Sequence, residues 1–271
     1  MPVGTTGELK TWQKRTTARQ LTVWFFWLLG VAIFVACWQL ISATTLWPFV
    51  WDAPRVAGDI FSRMVPPAWP YVNELWQPLW DTLNIATLGT LLAIVMAVPV
   101  AFCAARNTTP SVLVVRPIAL LIIVSSRSIN SLIWALLLVA IIGPGVFAGV
   151  IAIGLRSIGF IAKLLYEAIE EIDRNQVEAV TATGASGAQI ISYAIVPQVL
   201  PAFAGITVFR WDINIRESTV LGLVGAGGIG LQLQASLNVL AWPQVTVILL
   251  LILATVLLSE WVSARVRHAI I

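Results

Sequence analysis

Six charged side chains lie in stretches of sequence that are otherwise apolar. They are four arginines and two acids, with a net charge of +2: Arg127, Arg156, Arg210, Arg216, Asp212 and Glu217. A charge at membrane depth is costly unless it faces a partner or water, so these side chains should point into a helix bundle or a cavity. The planar guanidinium of arginine suits phosphoryl oxygens. The excess of arginine therefore predicts anion passage.

Helical spacing sorts these charges into groups. Asp212 and Arg216 are four residues apart, which predicts a structural ion pair. The remaining charges and their polar neighbours are candidates for a translocation pathway, although an ion-paired bundle is an equal alternative for two of the arginines, Arg156 and Arg210. The pathway candidates are Ser125, Ser126, Arg127, Ser128, Asn130, Ser131, Arg156, Arg210, Asn214 and Glu217.

Arg127 is the strongest pathway candidate because its neighbours are hydrogen-bond donors and no acid is close in sequence. Arg127, Asn130 and Ser131 are predicted to share one face of a single helix. Arg210, Asn214 and Glu217 are predicted to share a face of a later helix, different from the face of the Asp212–Arg216 pair.

Residue types that carry catalysis or bind metals are scarce. His268 is the only histidine and lies in a basic tail, and Cys37 and Cys103 stand in apolar stretches without polar neighbours. We therefore expect no catalytic residue, metal site or cofactor in this chain. Residues 225–230 fit G-x-G-x-x-G, but an apolar helix precedes them in place of a strand, which favours a close-packed hairpin over a nucleotide site.

The amino-acid composition indicates whether these residues lie in a soluble protein or in a membrane protein. The chain has 271 residues, of which 59% are hydrophobic and 11% charged, and its mean hydropathy is +0.90. Soluble domains carry about 25% charged residues, so a soluble, disordered or secreted disulfide-rich protein is excluded and a polytopic membrane protein is predicted. The net charge of +3 is too diffuse to indicate nucleic-acid binding.

Uncharged stretches of about 20 residues predict six transmembrane helices in an all-α fold. The predicted spans cover residues 21–43, 82–105, 114–141, 146–167, 198–221 and 243–264. The core domain is predicted at 81–265, with a cytoplasmic loop at 168–197. Residues 1–20 and 266–271 are predicted tails, and the Trp-rich residues 44–80 are predicted to lie along the outer interface or to pack on the bundle as a loop.

The distribution of basic residues orients the chain. With both termini in the cytoplasm, the outer segments hold only Arg55 and Arg63. The cytoplasmic segments then hold Lys10, Lys14, Arg15, Arg19, Arg106, Arg116, Lys163, Arg174, Arg265 and Arg267.

The loop at 168–197 has a regular pattern. It reads Glu178-Ala179-Val180, three residues, Gly184, nine residues, and a last stretch that ends in Pro197. We predict a short helix from Glu178 to Thr183, a turn at Gly184, and a second short helix that Pro197 ends.

This pattern resembles the EAA loop of permease subunits in bacterial ABC importers, which is Glu-Ala-Ala, three residues, Gly, nine residues and Ile-any-Leu-Pro. Val180, Ala194 and Val196 depart conservatively from that form. The resemblance implies a coupling helix that docks into a cleft of an ATPase subunit. The coupling residues would be Glu178, Ala179, Gly184 and Pro197.

A longer stretch, from about residue 80 to about residue 265, is similar more specifically to permeases of phosphonate-type ABC importers. The similarity is carried by SRSIN at 126–130, GFIAKLLYEAIEEID at 159–173, ATGAS at 182–186, VPQVLP at 196–201 and VLGLVGAGGIG at 220–230. It implies the type I importer permease fold and a multi-pass protein of the bacterial inner membrane.

The same resemblance implies partners and a transport activity. Two copies of the chain would work with two ATPase subunits, which bind ATP and Mg, and with an extracytoplasmic binding protein that delivers phosphonate, phosphite or phosphate. An importer for another small solute, a secondary transporter and an intramembrane enzyme remain as alternatives. The two acids at membrane depth, Asp212 and Glu217, are five residues apart on different helix faces, which disfavours the enzyme.

Overall fold

The structure is a computed structural model that describes residues 3–6, 9–12 and 17–270. Lys14 and Arg15, which contribute to the predicted orientation, and Ile271 in the predicted C-terminal tail lie outside the described residues. Two compact units divide at Asp59, residues 1–59 and 60–271.

Helices account for nearly all of the described chain. Strands β1 (Val3–Thr6) and β2 (Leu9–Trp12) pair antiparallel ahead of the first helix. The helices are α1 (Thr17–Thr44), α2 (Trp47–Arg63), α3 (Val72–Ala104), α4 (Val115–Ser128), α5 (Ser131–Ile142), α6 (Val146–Glu170), α7 (Arg174–Ala182), α8 (Gly187–Ile190), α9 (Val196–Leu221), α10 (Ile229–Asn238) and α11 (Trp242–Ile270). The predicted all-α membrane fold is confirmed, and the short hairpin precedes it.

Within residues 17–270, five helices are long and apolar enough to cross a membrane: α1, α3, α6, α9 and α11. The third predicted span, 114–141, is not one helix. It is broken into α4 and α5, which meet at 87°. The break follows the polar run that ends α4, and the Asn130 side chain caps α5 by accepting a hydrogen bond from the Leu132 amide at 3.1 Å. Counting this bent pair as one span gives six.

The structure also differs from the prediction in the outer segment at 44–80. It contains α2, and α3 begins at Val72, ten residues before the predicted start of the second span. Because a helix rises about 1.5 Å per residue, the 33 residues of α3 are longer than a bilayer core of about 30 Å requires.

Small residues let α3 and α6 pack closely along most of their length. Gly89 of α3 lies against α6, where a Cβ in place of its hydrogen would come within 2.8 Å of the Ile153 side chain. Further along α6, a Cβ on Gly159 would come within 2.5 Å of the Ile123 carbonyl oxygen of α4. Close backbone approach through small residues is typical of helix packing in membranes. These contacts pack α6 against both α3 and α4, in a core cluster that all three helices share.

The glycine run after α9 makes the predicted tight connection. Gly225, Gly227 and Gly228 have positive φ values of 87°, 81° and 76°, which favour glycine. The connection then leads into α10, and the Ile229 amide donates to Thr82 Oγ1 of α3 at 2.8 Å. These residues therefore form a helix–helix connection anchored on α3.

Candidate functional site

Three of the four predicted coupling residues lie on an exposed helical segment between α6 and α9. Glu178 and Ala179 are exposed on α7, and Gly184 follows with a φ of +81°. The predicted helix–turn–helix is therefore present, and its first helix begins four residues earlier than predicted, at Arg174.

Pro197 does not end the second short helix, contrary to the prediction. The chain continues helically from α8 through a π-helical turn at Ile191–Ile195 into α9. Pro197 lies directly after this π-helical turn, so its missing N–H falls where the backbone hydrogen bonding changes from the π to the α pattern. The π-helical turn joins the two helices without a break.

Gln198 of α9 contacts the start of the segment between α6 and α9, a contact that sequence reasoning missed. Its Oε1 accepts a hydrogen bond from the Asp173 amide at 2.9 Å, and its Nε2 donates to the Ala194 carbonyl oxygen at 2.7 Å. Asp173 in turn caps α7 by accepting from the Asn175 amide at 3.0 Å. The N-terminus of α7 is thereby attached to the beginning of a membrane helix.

The polar residues around Arg127 separate at the bend between α4 and α5. Arg127 is exposed in the last turn of α4, and it makes no ion pair with any residue of the described ranges. Asn130 and Ser131 lie at the start of α5, across the 87° bend, so the predicted shared face is wrong.

The serines near Arg127 have different environments. Ser126 Oγ donates to the Leu155 carbonyl oxygen and accepts from the Gly159 amide at 2.9 Å, so it joins α4 to α6. Ser125 and Ser128 are exposed. Ser128 Oγ donates to the carbonyl oxygen of Val124 in its own helix at 2.8 Å.

A cluster of two arginines and one glutamate joins α6 to α9. Glu217 lies 3.0 Å from Arg156 Nη1 and 3.4 Å from Arg210 Nη2. Arg156 Nη1 also donates to Ser131 Oγ of α5 at 3.2 Å. Arg210 lies over the Phe160 ring, 5.1 Å from its centroid. Two guanidiniums share one carboxylate, which leaves the cluster with one positive charge.

A chain of hydrogen bonds extends from Arg210 to α3. Arg210 Nε donates to Ser157 Oγ at 3.0 Å, and Ser157 Oγ donates to Asn214 Oδ1 at 3.2 Å. Asn214 Nδ2 then donates to Thr90 Oγ1 at 2.8 Å, and Thr90 Oγ1 donates to the Ala86 carbonyl oxygen at 2.6 Å. All of these polar side chains are buried, and the network satisfies each of them.

The comparison with known families decides what kind of protein carries this cluster. Binding-protein-dependent transport system inner membrane components match the chain over residues 89–270. The chain belongs to this family. It is a multi-pass inner-membrane permease, and the prediction of an ABC importer permease is confirmed.

Two curated relatives are close in sequence to this permease. A phosphite transport system permease protein of Stutzerimonas stutzeri is 41% identical over 237 residues, which are 87% of this chain and 84% of the relative. A phosphate-import permease protein of Mycolicibacterium smegmatis is 40% identical over 212 residues, which are 78% of this chain and 40% of the relative.

Solved structures share the fold of the permease. The inward-facing MetNI methionine ABC transporter matches with a TM-score of 0.65 and 22% identity, over 74% of this chain and 98% of that chain. An amino acid ABC transporter matches with a TM-score of 0.63 and 19% identity, over 74% of this chain and 95% of that chain. These matches support the predicted type I importer permease fold.

A second ion pair of the permease lies on a different face of α9. Arg216 Nη2 contacts the Asp212 carboxylate, as the spacing predicts, and Ser259 Oγ of α11 donates to Asp212 Oδ1 at 2.7 Å. Trp211 Nε1 donates to Thr87 Oγ1 of α3 at 3.0 Å. This face of α9 is therefore tied to α11 and α3, and its one arginine and one carboxylate balance.

Sequence reasoning missed the hydroxyl groups that complete both networks. Ser157, Thr90 and Ser259 are buried partners of residues that it singled out. Their only sequence signal is a hydroxyl within an apolar span, a position where hydrogen bonding between helices is common.

Proposed function

We propose that two copies of this chain form the translocation pathway of an ATP-driven importer for small phosphorus oxyanions. Phosphonate, phosphite and phosphate belong to this class, and an extracytoplasmic binding protein would deliver them. The relatives named for phosphite and phosphate transport support the substrate class. The observation that carries the proposal is the cluster of Arg156 and Arg210 around Glu217, because its excess positive charge at membrane depth suits an anion.

Several exposed residues extend the proposed pathway beyond the cluster. Arg127 and Ser125 offer donors at the end of α4, and Ser128 and Asn130 lie beside them at the bend. In this proposal Arg127 attracts the anion by its charge. Ser126, in contrast, holds α4 against α6 and contacts no substrate.

The exposed segment between α6 and α9 is the proposed docking site for the ATPase subunits. Glu178 and Ala179 would contact the ATPase, Gly184 would form the turn, and Pro197 would begin the helix that receives the motion. ATP and Mg would be bound by the partner subunits, so this chain would itself catalyse nothing. Closure of the ATPases would open the pathway outward, and hydrolysis would reset it.

The proposed orientation places both termini and this segment in the cytoplasm. Cysteine cross-linking tests both statements. We expect Ala179→Cys, in a variant without Cys37 and Cys103, to cross-link to the ATPase and to react only with reagents that enter the cytoplasm. A cysteine in place of exposed Val239 of the α10–α11 connection should react from outside. Labelling of both positions from the same side contradicts the orientation.

Uptake by the complete transporter tests the substrate class. We expect proteoliposomes that contain the permease and its ATPase to take up phosphite, methylphosphonate or phosphate when the binding protein and ATP are supplied. Sulfate is the matched tetrahedral control. Uptake of sulfate or of an uncharged solute, without uptake of any phosphorus oxyanion, contradicts the proposal.

A further inference from the structure

Arg156 and Arg210 share Glu217 but differ in accessibility. The Arg210 side chain is 3% exposed, whereas that of Arg156 is 31% exposed. Glu217 lies between them at 17% exposure. One arginine of the cluster is therefore enclosed by protein, and the other is partly exposed.

The contacts of Arg210 indicate a structural role. Its Nε donates to Ser157, its Nη2 faces both oxygens of Glu217, and its guanidinium lies over Phe160. A substrate could reach Arg210 only by disrupting these contacts. The buried chain through Ser157 and Asn214 holds this arginine, and with it the position of Glu217, against α6.

The contacts of Arg156, in contrast, indicate that this arginine can bind a ligand. Both of its polar contacts use Nη1, one with Glu217 and one with Ser131. Within the described residues, Nη2 and Nε make no polar contact in addition to these. An arginine has five N–H donors in a planar fork, so this edge of the guanidinium has unused donors for a tetrahedral oxyanion.

We propose that Arg156 binds the transported oxyanion and that Glu217 is the internal carboxylate that the anion displaces from it. The proposal rests on the function proposed above and assigns the substrate contact within it. When the anion leaves, Glu217 returns to Arg156, so the guanidinium is never without a counter-charge at membrane depth. Because Arg210 is enclosed and bonded to Ser157, it retains the displaced Glu217 near the cluster during the exchange.

Neutral substitutions separate a binding role from a structural ion pair. The test variant is Arg156→Gln, which leaves Glu217 paired with Arg210, and the matched control is Asp212→Asn with Arg216→Gln on the other face of α9. Both variants remove an arginine and leave no charge of its network without a partner. Uptake of phosphite, methylphosphonate and phosphate is measured in proteoliposomes with the ATPase and the loaded binding protein, together with ATPase stimulation.

We expect the test variant to lose phosphorus oxyanion uptake at least tenfold, while ATPase stimulation by the loaded binding protein stays within twofold of wild type. The control variant should keep uptake within twofold. Uptake by the test variant at the wild-type rate overturns the proposal, because transport of the anion would then not need the Arg156 guanidinium. A loss of ATPase stimulation equal to the loss of uptake also overturns it.

Two further variants keep the proposal testable if Arg156→Gln does not assemble. Arg156→Lys retains the charge but not the fork, so uptake should fall about tenfold with assembly intact. Glu217→Gln removes the competing carboxylate, so phosphite should raise the melting temperature of the purified permease at lower concentration than in wild type. An unchanged concentration dependence overturns the proposed displacement. Absence of oxyanion uptake by wild type, in contrast, contradicts the proposed function itself.

Discussion

Two faces of α9 carry ion pairs, and they differ in how many arginines share each carboxylate. On the face toward α6, Glu217 contacts both Arg156 and Arg210. On the other face, Asp212 contacts Arg216 and accepts a hydrogen bond from Ser259. The first network has an excess positive charge, and the second is balanced.

The two networks also differ in the sign of the charge that is buried. Arg210 is buried on the first face, whereas Asp212 is buried on the second and Arg216 is 45% exposed. A buried charge needs a partner more than an exposed one does. Removal of Arg156 and removal of Arg216 should therefore change the stability of the protein by different amounts, although each of these arginines contacts a carboxylate of α9.

The largest effect on stability is expected for Arg216→Gln. It leaves the buried Asp212 carboxylate with Ser259 as its one remaining polar partner among the described residues. We expect the free energy of unfolding to fall by about 3 kcal/mol, measured by unfolding of the purified permease in mixed micelles. Adding Asp212→Asn should restore most of this loss. A stability equal to wild type would show that Asp212 needs no counter-charge.

Ser157→Ala should have the next largest effect. It removes the hydroxyl group between Arg210 and Asn214 and leaves a buried donor and a buried acceptor unsatisfied. The expected loss is about 2 kcal/mol in the same unfolding measurement. Ser128→Ala is the matched control, since that exposed hydroxyl bonds only within α4. Equal losses in the two variants would contradict the importance of the buried chain.

Ser259→Ala should cost less than Ser157→Ala. It removes one hydrogen bond to Asp212, and the Asp212 carboxylate keeps Arg216. We expect a loss of about 1.5 kcal/mol, because the bond is made to a charged acceptor. Thr255→Ala is the matched control. Thr255 lies one turn earlier on α11, and its hydroxyl bonds only the Leu251 carbonyl oxygen of its own helix. A loss in Ser259→Ala no greater than in this control would argue against the contact.

The smallest effect on stability is expected for Arg156→Gln, although its effect on transport is proposed to be large. Glu217 keeps Arg210 at 3.4 Å, so no charge is left alone. The expected loss is below about 1 kcal/mol, as for partly exposed ion pairs. A loss as large as that of Arg216→Gln would remove the contrast between the two faces and would indicate a structural role for Arg156.

Local sequence patterns predicted many structural features of this permease. Uncharged stretches predicted the positions of the membrane helices, and the i, i+4 spacing predicted the contact of Asp212 with Arg216. Glycine in a polar loop predicted the turn at Gly184. These features depend on residues close in sequence, where helix geometry fixes the distance.

Other features could not be predicted from local patterns. The bend between α4 and α5 separates Arg127 from Ser131, although periodicity placed them on one face. Pro197 lies within a continuous helical path because a π-helical turn precedes it. In both cases a local deviation in the backbone changed which side chains meet, and apolar periodicity does not report such deviations.

The sequence by itself determined that this chain crosses the membrane, that its membrane-embedded charges are mostly arginines, and that one loop resembles an ATPase-coupling segment. Only the tertiary structure decided which arginine is enclosed and which is accessible. Arg156 and Glu217 are far apart in sequence, and their contact exists because α6 and α9 pack against each other, as the hydrogen bond from Ser157 to Asn214 also shows. Accessibility follows from packing between helices, and packing depends on all of the neighbouring helices together.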